Sequence, residues 1–141
     1  MNRVIDASVA CKWYLDEPSS DKARKLAEED GLLIAPDLIL AEVGNVLWKR
    51  RLKNEIAAAQ VAEIVGHLPG ALLLIPSKDI FARALAIAEA LAHPIYDCFY
   101  VAAAERWEAP LVTDDKRFFA ALAKGKIKVN AKLLETIGHR A

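Results

Sequence analysis

Four acidic residues lie at positions where the sequence pattern predicts something other than an exposed surface side chain. Asp6 ends an apolar strand, Glu42 is on the apolar stripe of a helix, Asp97 begins an apolar helix and Asp115 follows a late strand. In an open α/β sheet, groups at the carboxyl ends of parallel strands line the crevice where ligands bind. We therefore predict that these acids gather along that edge of a sheet.

Each acid also has an ordinary structural explanation when it is taken alone. Glu42 could reach water at the edge of its stripe, with Asn45 one turn on as its partner. Asp97 would be favoured in the first turn of a helix by the helix dipole. One residue of the Asp114-Asp115 pair is expected to cap the next helix. Asp6 has the weakest explanation of this kind, because it ends a strand and does not start a helix.

The four acids together predict a cation site. Two carboxylates about 4 Å apart repel each other by roughly 4 kcal/mol at an effective dielectric near 20. A divalent cation or a retained proton must offset that repulsion. Oxygen ligands suit Mg²⁺ or Mn²⁺, whereas zinc normally takes His or Cys. His67, His93 and His139 are scattered, and a core or surface role is expected for each.

Composition places the chain in a broad class. It has 141 residues, a hydrophobic fraction of 55% and no net charge, which predicts one domain with a substantial core. Cys11 and Cys98 lie in apolar helical patterns, so we expect buried free thiols and a reducing, cytoplasmic setting. The sequence shows no membrane-spanning run and no signal peptide. It also lacks the glycine-rich loops that bind nucleotide phosphates.

Strand and helix patterns alternate along the chain. Apolar strands are predicted at residues 3–6, 32–35, 71–75, 110–113 and 127–129, with Ser8 capping the first helix and a turn at Pro69-Gly70. Alternation of this kind predicts a three-layer α/β/α sandwich with a central, mostly parallel sheet. Basic residues cluster at Lys49-Arg50-Arg51 and again after Asp115, and such patches permit contact with a phosphate backbone.

Four segments resemble the motifs of PIN domains, in particular the VapC-type toxins of toxin–antitoxin pairs. They are Val4-Ile5-Asp6-Ala7-Ser8-Val9, Glu42-Val43-Gly44-Asn45-Val46-Leu47, Tyr96-Asp97-Cys98-Phe99-Tyr100-Val101-Ala102 and Leu111-Val112-Thr113-Asp114-Asp115-Lys116-Arg117-Phe118. The matches cover almost the whole chain in the family's order, as a single PIN domain over residues 1–141. Cys98 departs from the pattern, since it stands where the family usually has Ala.

The resemblance implies a function and assigns roles to residues. Asp6, Glu42, Asp97 and Asp115 would bind Mg²⁺ or Mn²⁺, with Glu42 either a ligand or the base for the attacking water. The implied activity is endoribonuclease cleavage of structured RNA such as transfer or ribosomal RNA, by a homodimer inhibited by a VapB-type antitoxin. Supporting positions would be Ser8, Asn45, Thr113 and Asp114, and RNA would be held by Lys49, Arg50, Arg51, Lys116 and Arg117.

Two other classes of function stay open on the sequence alone. A phosphotransfer, phosphatase or receiver-like domain could use Asp6, although no second acid follows in a D-x-D pair. A non-catalytic RNA-binding domain is the other alternative, and it would show no metal uptake that depends on Asp6 and Asp97.

Overall fold

One or two helices separate each pair of consecutive strands in the structure, as the apolar pattern predicts. The computed structural model describes residues 1–138. Within that range the strands are β1 (Arg3–Ile5), β2 (Leu33–Pro36), β3 (Leu73–Ile75), β4 (Leu111–Thr113) and β5 (Ala131–Leu133). The α-helices are α1 (Ala7–Tyr14), α2 (Ser20–Glu28), α3 (Leu38–Leu52), α4 (Ala58–Ala71), α5 (Ser77–Leu91), α6 (Ile95–Trp107) and α7 (Lys116–Lys124).

The strands form one sheet in the order β3-β2-β1-β4-β5, and every pairing among them is parallel. Helices pack against the sheet, and all three residues of β1 and of β4 are buried. The predicted α/β sandwich is confirmed, with a sheet that is parallel throughout the described residues. Parallel strands need long crossover connections, which the intervening helices provide.

The strand order fixes where a ligand site belongs. The chain first builds outwards from β1 through β2 to β3, and then returns to place β4 on the other side of β1. The order therefore reverses between β1 and β4, and ligands of open α/β sheets bind outside the strand carboxyl ends at this switch point. Asp6 follows β1 and Thr113-Asp114-Asp115 closes β4, so the acids of both strands lie at the switch point.

Two local predictions are wrong. The turn expected at Pro69-Gly70 lies inside α4. A proline in a last helical turn removes a single backbone hydrogen bond, and the buried side chains of Leu68 and Leu72 hold this segment against the core.

The last strand is also displaced from its predicted position at residues 127–129. The segment that pairs with β4 is Ala131–Leu133, with Leu111 opposite Ala131. Ile127 and Val129 pack against the core from the preceding loop. Their alternation resembles that of a strand, although no strand pairing is formed there within the described residues.

Cys11 and Cys98 are buried free cysteines, as predicted. Burial raises the pKa of each thiol to about 11, so neither is a reactive thiolate at neutral pH. No helix within residues 1–138 is both long and apolar enough to cross a membrane. His139, one of the three histidines considered above, lies outside the described residues.

Candidate metal centre

Asp6 forms the floor of the site. It lies directly after β1 and is the N-cap of α1, where its Oδ1 accepts a hydrogen bond from the Val9 amide at 3.3 Å. The hydroxyl of Ser8 donates to the same oxygen at 2.5 Å, and the hydroxyl of Thr113 donates to Oδ2. The predictions that Ser8 caps this helix and that Asp6 starts no helix are therefore wrong. One short turn joins β1 to α1, so a strand end and a helix start coincide.

The Asp6 carboxyl is almost completely buried, with 5% of the residue exposed. Burial raises its pKa to about 6, although its hydrogen bonds to Ser8, Thr113 and Val9 act in the opposite direction. The negative charge of Asp97 raises it further. Two neighbouring carboxylates, one of them buried, repel each other. A bound cation would relieve this repulsion.

Glu42 projects from α3 towards the same region and is half-buried. The hydroxyl of Tyr100, a buried residue of α6, donates to its Oε1 at 2.6 Å. Burial raises the pKa of Glu42, the hydrogen bond lowers it, and the charge of Asp97 raises it again. The partner suggested from the sequence was Asn45, but that residue lies exposed on α3. Helical spacing could not identify Tyr100, because it is on another helix.

Asp97 lies in the first turn of α6, as predicted. Its charge raises the pKa of both Asp6 and Glu42, so it is the acid that the other two have in common. Its Oδ2 is 2.7 Å from Nε2 of His93. The sequence pattern indicated only a core or surface role for His93, so it did not predict this contact. The spacing of four residues across Pro94 was the available signal.

The two neighbouring acids after β4 have different environments. Asp115 is exposed and caps α7, with its Oδ1 accepting from the amides of Arg117 at 3.0 Å and Phe118 at 3.1 Å. Asp114 instead forms an ion pair with Lys12, at 3.4 Å between Oδ2 and Nζ, and both side chains are 13% exposed. The amide of Asp114 donates to the Ser8 hydroxyl at 2.9 Å.

Two hydroxyl groups connect the ends of β1 and β4. Ser8 donates to Asp6 and accepts from the Asp114 amide, while Thr113 donates to Asp6 and accepts from the Asp115 amide at 3.0 Å. Lys12 follows Ser8 by one helical turn and adds a partly buried cation beside this network. Sequence reasoning missed Lys12, whose i,i+4 spacing from Ser8 placed it on the same face of α1.

The donor set fits a hard divalent cation. Carboxylate oxygens dominate it, and Oδ1 of Asp114 is buried with no hydrogen-bond partner among the described residues. Within residues 1–138, the structure shows no group of three or more Asp, Glu, His or Cys side chains that could hold a metal ion. Mg²⁺ usually keeps several waters and takes only one or two carboxylates from the protein, so a group of three is not required.

The basic residues predicted to bind RNA differ in how far they are already engaged. Arg50 pairs with Glu17 at 3.1 Å and with Glu55 at 3.7 Å, and Arg51 donates to the Ile56 carbonyl at 3.1 Å. The other three are exposed: Lys49, Lys116 and Arg117. The ammonium group of Lys116 is 3.5 Å from the Glu135 carboxylate. RNA contact by any of them stays a prediction.

Comparison with known proteins identifies the family. The PIN domain family model matches residues 3–125. This chain belongs to the PIN-domain family. Ribonuclease VapC3 of Pyrobaculum aerophilum is 32% identical to this PIN domain over 120 residues, which cover 83% of the chain and 92% of the relative.

Solved structures share the fold of this PIN domain. Mycobacterium tuberculosis VapC20, described as a sarcin-ricin loop cleaving toxin, superposes with a TM-score of 0.64 at 16% identity, covering 84% of this chain and 94% of that one. A toxin–antitoxin complex from Klebsiella pneumoniae gives a TM-score of 0.63 at 14% identity, with coverages of 94% and 97%. The family model and the ribonuclease relative confirm the resemblance to PIN domains, and these structures confirm the fold.

Proposed function

We propose that this PIN domain is a metal-dependent endoribonuclease that cleaves structured RNA of the transfer or ribosomal class and acts as the toxin of a toxin–antitoxin pair. The family match and the ribonuclease relative support RNA cleavage. The observation that carries the metal dependence is the buried Asp6 carboxylate, which lies at the switch point of the sheet with the charge of Asp97 acting on it.

Each acid has a distinct role in this proposal. Asp6 and Asp97 would hold a Mg²⁺ or Mn²⁺ ion, and Asp115 would contribute from the turn after β4. When bound, the cation would supply positive charge beside the scissile phosphate and make water more acidic. Glu42 would either bind the cation or accept the proton of the attacking water. Burial raises the pKa of Glu42, which improves its ability to accept that proton.

The surrounding groups hold these acids in place. Ser8 and Thr113 fix both oxygens of Asp6, and Tyr100 fixes one oxygen of Glu42. Lys12 balances the charge of Asp114 next to the Ser8 hydroxyl. Asn45 lies exposed on α3, and its supporting role stays a prediction from the motif.

The proposed partners are an RNA substrate, a VapB-type antitoxin and a second copy of this chain. The chain is proposed to act in the cytoplasm, as a single PIN domain over residues 1–141. Partner surfaces are supported by large apolar side chains that are exposed on α3, α4, α5 and α6. They include Trp48, Leu52, Val65, Phe81, Leu85 and Tyr96. Exposed apolar patches commonly mark interaction surfaces.

Replacing Asp6 by Asn tests the proposal. The substitution keeps the size of the side chain and its acceptor oxygen but removes the charge, so we expect the fold to persist and RNA cleavage to fall by more than about 100-fold. Cleavage of a transfer or ribosomal RNA fragment is measured with Mg²⁺ or Mn²⁺ and again with EDTA. Asp16→Asn is the matched control, since Asp16 is an exposed acid paired with Arg24 away from the site.

Two results would contradict the proposal. One is full cleavage by the Asp6→Asn variant, and the other is wild-type cleavage that EDTA does not change. RNA binding without cleavage by the wild-type protein under every metal condition would instead support the non-catalytic alternative.

A further inference from the structure

His93 lies in the connection between α5 and α6, with its ring against the first turn of α6. Its Nε2 is 2.7 Å from Oδ2 of Asp97, and 15% of its side chain is exposed. A carboxylate can only accept hydrogen bonds, so Nε2 carries the hydrogen and donates it. The histidine therefore occupies one of the two oxygens of Asp97.

The ring of His93 is held by packing as well as by this hydrogen bond. It stacks on Phe118 with 5.7 Å between ring centroids and 23° between planes. Phe118 lies in the first turn of α7, whose cap is Asp115. His93 thus connects the Asp97 turn with the turn that carries the acid after β4.

The backbone of His93 is fixed from both sides. Its amide donates to the Ala88 carbonyl at 3.2 Å beyond the end of α5. Ala92 before it has a φ of 50°, in the left-handed region that terminates helices, and Pro94 after it precedes the first residue of α6. The ring is consequently delivered to Asp97 by a short connection with little freedom.

We propose that His93 is a positioning residue, which holds Oδ2 of Asp97 so that Oδ1 is presented to the divalent cation. This inference rests on the proposed function, because it needs Asp97 to be a metal ligand. Carboxylates that bind metals are themselves usually hydrogen-bonded, and losing such an outer partner typically weakens metal binding by about 10- to 100-fold. Asp97 is the acid whose charge acts on both Asp6 and Glu42, so its orientation affects the whole site.

The hydrogen bond and the stacking can be tested separately. His93→Phe keeps an aromatic ring against Phe118 and removes the donor, while His93→Gln replaces the ring with a side chain that carries an N–H donor. Mn²⁺ binding is measured by calorimetry on the metal-stripped protein (residues 1–141), alongside its melting temperature. We expect about 10- to 100-fold weaker binding for His93→Phe at an unchanged melting temperature, and a smaller loss for His93→Gln.

His67→Phe is the matched control. His67 also has a side-chain hydrogen bond, between its Nδ1 and the Tyr14 hydroxyl at 2.6 Å, but it lies on α4. We expect wild-type Mn²⁺ affinity for this variant. If His93→Phe does not fold, His93→Leu removes the same donor with a different apolar side chain and is judged by the same affinity criterion.

The outcomes separate this inference from the function on which it rests. If the Asp6→Asn and Asp97→Asn variants bind Mn²⁺ as tightly as the wild type does, the proposed metal centre is overturned. If those two variants lose Mn²⁺ affinity but the His93→Phe variant binds Mn²⁺ as tightly as the wild type, only the role of His93 is overturned. Weaker binding by His67→Phe to the same extent would also overturn it, because the effect would not be specific to the Asp97 contact.

Discussion

The floor and the wall of the candidate metal centre are built differently. The floor is Asp6, whose two oxygens receive hydrogen bonds from Ser8, Thr113 and the Val9 amide at the ends of two central strands. The wall consists of Glu42 on α3 and Asp97 on α6. A single side-chain contact from Tyr100 or His93 holds each wall acid. The floor is buried, whereas 31% of the Asp97 side chain is exposed.

This difference separates two kinds of contribution. Groups that hold the floor are part of the core, so changing them should alter both stability and metal binding. The wall acids Glu42 and Asp97 are partly exposed, so water can replace a hydrogen bond that either of them loses. Changing the groups that hold these acids should therefore weaken metal binding with little effect on stability. Asp6 itself is expected to destabilise the metal-free protein, because its charge is buried without a cation.

The largest predicted effect is a pH-dependent stability that Asp6 controls. Its pKa is raised to about 6 in the folded protein, whereas an unfolded Asp has a pKa of about 4. Between about pH 4 and about pH 6 the folded state keeps a proton that the unfolded state has lost, so stability falls as pH rises. For the metal-free protein, this loss should be on the order of 3 kcal/mol in the free energy of unfolding.

Urea unfolding in EDTA at a series of pH values measures this effect. The Asp6→Asn variant should lack the decrease and should be the more stable protein above about pH 6. Adding Mg²⁺ at neutral pH should restore stability to the wild type but not to the variant. If the free energy of unfolding has the same pH dependence in the wild type and in Asp6→Asn, the buried charge of Asp6 does not destabilise the folded protein.

Thr113→Val should give the next largest effect and would test whether the floor depends on its hydroxyls. Valine has a similar shape, but it removes the donor to Asp6 and the acceptor for the Asp115 amide. An unsatisfied buried polar group costs about 1 to 3 kcal/mol, so we expect that loss in the free energy of unfolding. The measurement is urea denaturation at neutral pH.

Thr136→Val is the control for this substitution, because the Thr136 hydroxyl donates its hydrogen bond to the Leu133 carbonyl and not to an acid. It should change stability less than Thr113→Val and leave Mn²⁺ binding unchanged. Equal losses in the two variants would argue against a special role for the floor.

More of the floor than of the wall could be predicted from the sequence. Asp6, Thr113 and Asp115 follow strands, and strand order in a parallel fold places such residues along one edge. The supports of the wall, Tyr100 and His93, were not identified, because each depends on how two separate elements pack. The same limit explains the missed ion pair between Lys12 and Asp114, which lie 102 positions apart and meet only because α1 packs beside β4.

The errors in the fold have related causes. The alternation at residues 127–129 was apolar enough for a strand, but pairing with β4 is formed by Ala131–Leu133. Pro69-Gly70 has the composition of a turn, yet burial of Leu68 and Leu72 keeps that segment helical. Local patterns identified the number and order of the elements, and tertiary packing decided where each began and ended.

Tyr100→Phe should have the smallest effect on stability and tests the wall directly. The ring stays buried in the core, and only the hydroxyl that donates to Glu42 is lost. Because Glu42 is half-buried and can reach water, we expect a change of less than about 1 kcal/mol in the free energy of unfolding. Mn²⁺ binding should nevertheless weaken by about tenfold, since Glu42 would no longer be held in one orientation.

Tyr14→Phe is the matched control, since the Tyr14 hydroxyl contacts His67 on the protein surface. Calorimetry with Mn²⁺ and urea denaturation of both variants would separate affinity from stability. A large stability loss in Tyr100→Phe with unchanged Mn²⁺ affinity would reverse the distinction drawn between floor and wall. Glu42 and Tyr100 would then be a buried structural pair, and the cation would be held by Asp6 and Asp97 without them.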